Sequence, residues 1–456
     1  MVLKYVFSVL LSSFIFSLSI NAEPLKFSLH KIESGIPGPT ILVIGGIQGD
    51  EPGGFTAASM LVTNYKVNKG ALWVVPNLNF QSIIKRSRGV HGDMNRKFNL
   101  LSKKDPEFNE VQKIKKIILS KDVDIVINLH DGSGFYKKTY INKLHNPNRW
   151  GQSIIIDQTY LNTDKYGDLF DIALGVQNYI NSKLSNKKKY FYVKNTKTKD
   201  GDVEMEKSLT YFSIKNKRPA FAVEASKSFL TYERTFYHLL AVEGFMKKLG
   251  VEYQRNFKMT RKNVAKQIGH NLKISLYDSR INLDIDKARR HLRFIPLKKH
   301  SSFEYKKNNP LIAVIKKNKL LRVRYGNRYV TSLSPQYFEY DYSLETINML
   351  IDGEEQEIKI GSKVDVEKNF QVLADQEYRV NIIGFSKRGQ RNENGLLVAR
   401  KNINSRFSVD KNKKVFRVEV YKGKKFSGMV LVNFVKNTRV SSLKIEKLSQ
   451  LSSSNL

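Results

Sequence analysis

Gln48, Glu51, His130 and Glu224 have the side-chain types and placements that hydrolytic chemistry uses. Gln48 and Glu51 stand three apart just after Ile41-Leu42-Val43-Ile44-Gly45-Gly46, so a helical turn starting there lets both side chains converge on one point. His130 follows the strand-like stretch Asp122 to Leu129 and opens the loop Asp131-Gly132-Ser133-Gly134. Glu224 is the only charged residue in Pro219 to Ser226, and a carboxylate in such a strand must be compensated or functional. A metal-dependent hydrolase needs three protein ligands, an open position for water, and a nearby carboxylate that takes the water's proton. Each feature also has a plain structural explanation: a turn before a helix with an acidic first turn, a satisfied histidine, a paired glutamate.

A fifth stretch, Arg86-Ser87-Arg88-Gly89-Val90-His91-Gly92-Asp93-Met94-Asn95-Arg96-Lys97-Phe98, reads as a loop dense in donors. Arginine's fork grips a carboxylate through two parallel hydrogen bonds, so Arg88, Arg96 or both could hold an acidic substrate or a developing oxyanion. The alternative is a solvated loop in a chain that is basic throughout.

The elements that must position these groups follow from periodicity. Leu25 to His30 reads as an edge strand, Ile41 to Ile44 as a central strand, Glu51 to Lys66 as a helix, and Leu72 to Val75 as a strand. Asp105-Pro106-Glu107 starts another helix, Asp122 to Leu129 is a buried strand, and Lys165 to Lys183 is a helix within an otherwise irregular stretch, Phe135 to Ser208. Pro219 to Ser226 is a strand, and Thr231 to Leu249 a helix ended by Gly250. Alternating strands and helices predict a three-layer α/β domain, whose chemistry gathers at the carboxyl ends of the strands. After Gly250 short strand-like runs separated by turns predict two small all-β domains with a soft boundary near Tyr342. Neither carries a cluster suited to chemistry, which leaves them a docking or spacer role toward protein partners.

Met1 to Tyr5, the apolar run Val6 to Ile20 and Asn21-Ala22-Glu23 have the layout of a secretory signal peptide cleaved after Ala22, with no later apolar run long enough to span a bilayer. An exported protein can carry disulfides, yet this chain of 456 residues has no cysteine, so its stability rests on packing or bound metal. The excess of 78 Lys+Arg over 42 Asp+Glu gives a net charge of +36, spread along the whole chain. Such a charge favours polyanions or membrane surfaces, although a general lysine bias explains it equally well. Export argues against nucleic acid as a partner.

The spacing of Gln48-x-x-Glu51, a distant His130 and a still later Glu224 resembles that of the zinc carboxypeptidases of the M14 family, whose usual motif is His-x-x-Glu. Asp93-Met94-Asn95-Arg96-Lys97-Phe98 resembles that family's Asp-Leu-Asn-Arg-x-Phe block, with Arg88 seven residues before the asparagine, and Val223-Glu224-Ala225 its catalytic-glutamate strand. Glutamine in the first ligand position, together with the signal peptide, the basic chain and two β modules, is similar to the cell-shape-determining murein DL-carboxypeptidases of helical and curved bacteria. An amide oxygen is a weaker, neutral ligand than imidazole, so the identity of the metal is the point most exposed to that change.

The resemblance implies zinc held by Gln48, Glu51 and His130, with Glu224 as general base and Arg88 stabilising the oxyanion. Asn95 and Arg96 would hold the substrate's terminal carboxylate, and Trp150, Thr210 and Ala225 lie where the subfamily contacts the peptide. His91 and Arg86 have no counterpart. The implied architecture is a signal peptide over 1–22, a carboxypeptidase domain over 23–250, a barrel-like β domain over 251–342 and an immunoglobulin-like β domain over 343–456. The implied reaction is periplasmic: release of meso-diaminopimelate from the murein tripeptide, leaving a dipeptide stem and altering cell shape. Two rivals stand beside it. One is an amino-acid deacylase with the same arginine-asparagine block; the other is a zinc-free murein-binding scaffold.

Overall fold

The computed structural model describes residues 25–301 and 303–435, so the expected signal segment, 1–22, lies outside the described residues. Up to residue 226 the strands are β1 (His30–Glu33), β2 (Thr40–Gly45), β3 (Tyr65–Lys69), β4 (Ala71–Val75), β5 (Ile125–Gly132), β6 (Phe135–Tyr136), β7 (His145–Asn146), β8 (Ser153–Ile156), β9 (Tyr192–Asn195) and β10 (Ala220–Ser226). Seven of them form one sheet in the order β1-β4-β2-β5-β10-β8-β9. Its centre, β4, β2, β5 and β10, is parallel; β1 and β8 run antiparallel to β4 and β10, and β9 lies parallel to β8. The helices around it are α1 (Pro52–Asn64), α2 (Phe80–Lys85), α3 (Phe108–Ile118), α4 (Leu169–Ser182), α5 (Leu209–Lys215) and α6 (Thr231–Leu249). Helices α1, α4 and α6 pack on one another and on the sheet, while α5 packs on β5 and β10.

Every residue of β5 is buried, as expected for a strand covered on both faces. In α3 the inward positions Val111, Ile114 and Ile118 keep helical spacing, and Lys113 and Lys116 are exposed. Helix α6 covers the expected Thr231 to Leu249 and ends on Gly250 at φ 82 with Lys247 and Lys248 in its last turn. The first edge strand is displaced: it runs over His30–Glu33, not Leu25 to His30. Ser28 N–H is taken by Asn77 Oδ1 at 3.0 Å, outside the strand ladder. The stretch from Phe135 to Ser208 is also more ordered than its polar composition suggests, because β8 and β9 complete the main sheet there.

Beyond α6 come β11 (Glu252–Arg255), paired with β3, and the short helix α7 (Arg261–Gln267). A three-stranded sheet follows, with β12 (Lys273–Leu276) between β13 (Ile281–Asp284) and β15 (Tyr305–Lys307). Beside it, β14 (His291–Lys298), β18 (Arg328–Phe338), β17 (Leu320–Tyr325) and β16 (Ile312–Lys317) are neighbours in that order. Two further four-stranded sheets are ordered β20 (Glu354–Lys359), β19 (Thr346–Ile351), β22 (Asn369–Leu373), β24 (Val398–Ala399), and β21 (Lys363–Val366), β26 (Lys425–Phe434), β25 (Val415–Lys422), β23 (Tyr378–Ile382).

Three apolar clusters hold these sheets. One lies around the main sheet, one around β12 to β18, and one between the last two sheets. The second takes in Phe55 from α1 and Phe80 and Ile83 from α2. Side chains of this size contribute roughly 1.5–3 kcal/mol each when buried, so the β region braces the two helices flanking Gln48. Polar ties reinforce the seam: Ser59 Oγ donates to Asn309 Oδ1 at 3.0 Å, and Arg86 Nε to the carbonyl of Asn327 at 2.8 Å. Among the described residues no helix is long and apolar enough to cross a membrane.

Candidate active site

Strand register sets the central pair. In the parallel ladder of β5 and β10, Glu224 lies beside His130, and neighbouring strands are only about 4.8 Å apart. Gly45 at the end of β2 lies beside Leu129, so the turn that follows β2 delivers Gln48 to the same edge. That turn passes so close to α2 that a Cβ on Gly49 would lie 2.0 Å from the backbone carbon of Ser82. Only glycine fits there. Pro52 then starts α1, which leaves Glu51 at the helix entrance with its side chain turned toward β5.

Gln48 Oε1 lies 3.2 Å and Glu51 Oε2 3.0 Å from His130 Nδ1, and all three residues are buried. The orientation of the glutamine amide is fixed, because its Nε2 donates to both oxygens of Asp93 at 2.9 Å. Its oxygen therefore faces the histidine. On the far side of the ring, Nε2 is 2.8 Å from Asn128 Nδ2, while Asn128 Oδ1 is buried without a hydrogen-bond partner. The two ends of an amide have the same shape; with the oxygen turned to Nε2, the imidazole donates there and Asn128 is satisfied. His130 Nδ1 is then a lone pair facing two oxygens, and three electron-pair donors meet at one point. A tetrahedral ion with bonds of about 2.0 Å separates its donors by about 3.3 Å, close to these spacings. Among the described residues no group of three His, Cys, Asp or Glu could hold a metal ion, so this set qualifies only through the amide of Gln48.

The surrounding charges favour a cation at that point. Burial alone would pull the His130 imidazole down, but Glu51, Glu224 and Asp93 outweigh it and the net shift is upward. Burial raises the Asp93 carboxyl, yet the bonds from Gln48 and the nearby Arg88 win and hold it below its ordinary value. Glu51 Oε1 is flanked by Lys227 Nζ at 3.2 Å and Arg88 Nη1 at 3.8 Å. Behind the site the buried Asp131 accepts from Gly53 N–H at 2.9 Å, Arg234 Nη1 at 2.6 Å and His238 Nε2 at 3.0 Å. A Cβ on Gly53 would come within 2.4 Å of Asp131 Oδ1, so the glycine keeps this clamp between β5 and α1 closed. Asp131 N–H in turn donates to Glu51 Oε2 at 3.1 Å, which ties the clamp to the donor set.

Glu224 differs from every other carboxylate here: among the described residues nothing donates a hydrogen bond to it. Burial foremost, aided by Glu51 and Asp131 and opposed by His130 and Lys227, leaves its carboxyl raised to about 7. An unpartnered carboxylate held near neutrality beside a cation site is poised to exchange protons.

The cleft above these groups has a volume of about 270 Å³, and Arg88, Asn95, Arg96, Trp150 and Thr210 line it with the four residues above. Arg88 is clamped by Asp93 through Nε and Nη2, both at 2.9 Å. Asn95 Oδ1 accepts from Leu209 N–H at 3.0 Å, which leaves its Nδ2 for the cleft. Arg96 is lightly held, with Nε 3.5 Å from Glu204. The Trp150 ring carries Lys194 Nζ at 4.0 Å from its centre. Side chains alternate along a strand, so that of Ala225 is fully buried on the face opposite Glu224, while Ala222 lines the cleft. Asp93 and Lys227 received no role from the sequence. Asp93 opens the Asp-x-Asn-Arg block and was legible there; Lys227 had no signal. Because Asp93 orients a donor, Asp93→Asn is expected to weaken metal binding by about 10- to 100-fold, measured by competition with a chromogenic chelator. Unchanged affinity would make Asp93 a mere anchor of its loop.

A strand-end set of three donors with a free carboxylate one strand away, on a parallel α/β sheet, defines a metal-dependent peptidase. Residues 1–269 match the family model described as the catalytic region of carboxypeptidases controlling helical cell shape, and residues 340–435 match the C-terminal domain of metallo-carboxypeptidase. The chain belongs to this family, peptidase family M99. Among solved structures, apo cell shape determinant protein Csd4 from Helicobacter pylori is 38% identical, with a TM-score of 0.84 over 90% of this chain and 100% of that one. The mDAP-bound form of that protein, described as a D,L-carboxypeptidase, gives 38% and 0.84 over 89% and 100%. Its tripeptide-bound form gives 38% and 0.83 over 90% and 100%. No curated protein sequence matches.

Proposed function

We propose that the chain is a zinc-dependent murein DL-carboxypeptidase that removes meso-diaminopimelate from tripeptide stems. The observation that carries this reading is Glu224, a carboxylate without a hydrogen-bond partner, in register with His130 and beside the donors of Gln48 and Glu51. Zinc held by Gln48, Glu51 and His130 would supply Lewis-acid activation of a water and of the scissile carbonyl. Glu224 takes the proton of the attacking water and returns it to the nitrogen of the departing diaminopimelate. Arg88, aimed by Asp93, donates to the oxyanion. Asn95 and Arg96 hold the terminal carboxylate, which restricts cleavage to the last residue, and Trp150 and Thr210 shape the wall against which the stem lies.

A carboxypeptidase domain over 23–250, a barrel-like domain over 251–342 and an immunoglobulin-like domain over 343–456 are our reading of the architecture, supported by three apolar clusters centred on these regions, the second of which also takes in residues of both neighbours. The pattern of residues 1–22 and the nature of the substrate support a periplasmic site of action. Incubation of the mature protein with zinc and murein tripeptide is expected to release diaminopimelate, followed by mass spectrometry. Tight murein binding with no release would instead favour the scaffold.

A further inference from the structure

An arginine-lined cavity lies outside the catalytic cleft. It has a volume of about 440 Å³ and is lined by Arg289, His291, Arg293, Arg406, Phe407 and Arg417 among others, with no acidic residue and no lysine. That selection stands out in a chain where only 22 of the 78 basic residues are arginine. Placing like charges around one cavity is unfavourable unless an anion answers them, and the planar fork is the group that matches a carboxylate.

The cavity is a built feature. Arg417, buried against β14, donates from Nη2 to the carbonyl of Arg293 and from Nη1 to that of Phe294, each at 2.9 Å. Those two residues form a bulge in β14, between Leu292 and Ile295, and Phe294 sits at φ 56, a conformation a bulky residue adopts only when its surroundings enforce it. The bulge turns Arg293 out to solvent. Arg417 itself is balanced by Glu419 at 3.1 Å, and Arg289 is committed to Ser408 Oγ at 2.9 Å and the carbonyl of Arg406 at 3.0 Å. Arg293 and Arg406 are exposed and have no ion pair among the described residues; the Arg406 guanidinium lies 5.2 Å over the Phe407 ring. Two free forks beside an aromatic wall thus stand on two that are fixed.

We propose that this cavity is a second binding site, which takes the carboxylates of a murein stem while another stem occupies the catalytic cleft. The inference rests on the murein reading of the cleft. Stems repeat along the polymer, so a second hold raises the effective concentration of the next stem at the cleft without altering its chemistry.

The test uses full-length mature protein with Arg293→Ala and Arg406→Ala together, and a second variant with both arginines replaced by lysine. In a Glu224→Gln background, so that stems survive, co-sedimentation with intact sacculi carrying tripeptide stems is expected to weaken by about tenfold in the alanine variant and by less in the lysine variant. Glycan strands stripped of stems should bind both alanine variant and parent alike, and in the active background turnover of soluble tripeptide should be unchanged. Undiminished sedimentation with sacculi would overturn the site, as would an equal loss on stem-free glycan. Weaker binding of polyglutamate with unaltered sacculus binding would instead assign the cavity to an acidic protein segment. Should the parent bind sacculi yet hydrolyse no tripeptide, the catalytic reading fails while the comparison of sedimentation still decides the second site.

Discussion

Replacing Glu224 with glutamine is expected to lower turnover by about 10²- to 10⁴-fold, or more if no water can substitute, while metal content stays at the parent level. The amide fills the same space beside His130 but can neither accept the water's proton nor pass it on. The carboxyl sits up to about 7 before any cation is added, and a divalent ion at the neighbouring donor set pulls it down. The acidic limb of kcat/KM therefore falls at or below pH 7 in the parent and vanishes in the residual activity of Glu224→Gln. The linkage has a definite sign. An acid whose folded value is raised from 4.5 to about 7 is bound to its proton more tightly in the native state, so the metal-free protein loses stability as pH rises through that window. A variant that retained full activity, or lost its metal, would remove Glu224 from the role of base.

The second large effect is expected at Arg88. With Nε and Nη2 both held on Asp93, its remaining Nη1 points toward Glu51 and the cleft at 3.8 Å. Such a donor is already in place when charge develops on the carbonyl oxygen, and its removal typically costs about 2.7–4 kcal/mol of barrier. Arg88→Ala should therefore reduce kcat by about 10²- to 10³-fold with little change in KM. Arg88→Lys, which keeps the charge and loses the fork, should recover only part of that. A rise in KM at constant kcat would show instead that Arg88 binds the ground state.

Much of the site could be read from the chain because each donor follows a recognisable buried strand. β5 and β10 are fully or almost fully buried strands, and a charged or titratable residue at the end of such a strand has few reasons to be there. Helix α6 was equally clear, since its Gly250 terminator, charge bias and apolar face agree. Other features depend on partners far along the chain. The displacement of the first strand to His30–Glu33 is decided by Asn77, forty-nine residues beyond Ser28. Lys227 beside Glu51, the Asp131 clamp and the arginine-lined cavity arise from tertiary contacts and leave no local pattern.

In the metal set we propose, the amide of Gln48 bears on how the donors compete with acid. A histidine in that position would be lost to protonation near its ordinary value of about 6.5, whereas a glutamine amide binds no proton in the biological range. Only His130 and Glu51 then exchange hydrogen ions for metal, so each tenfold rise in acidity displaces less cation than it would from a set with two imidazoles. With its amide held by the two bonds that Nε2 donates to Asp93, the proposed set would trade grip at neutrality for a ligand indifferent to the acidity of its surroundings.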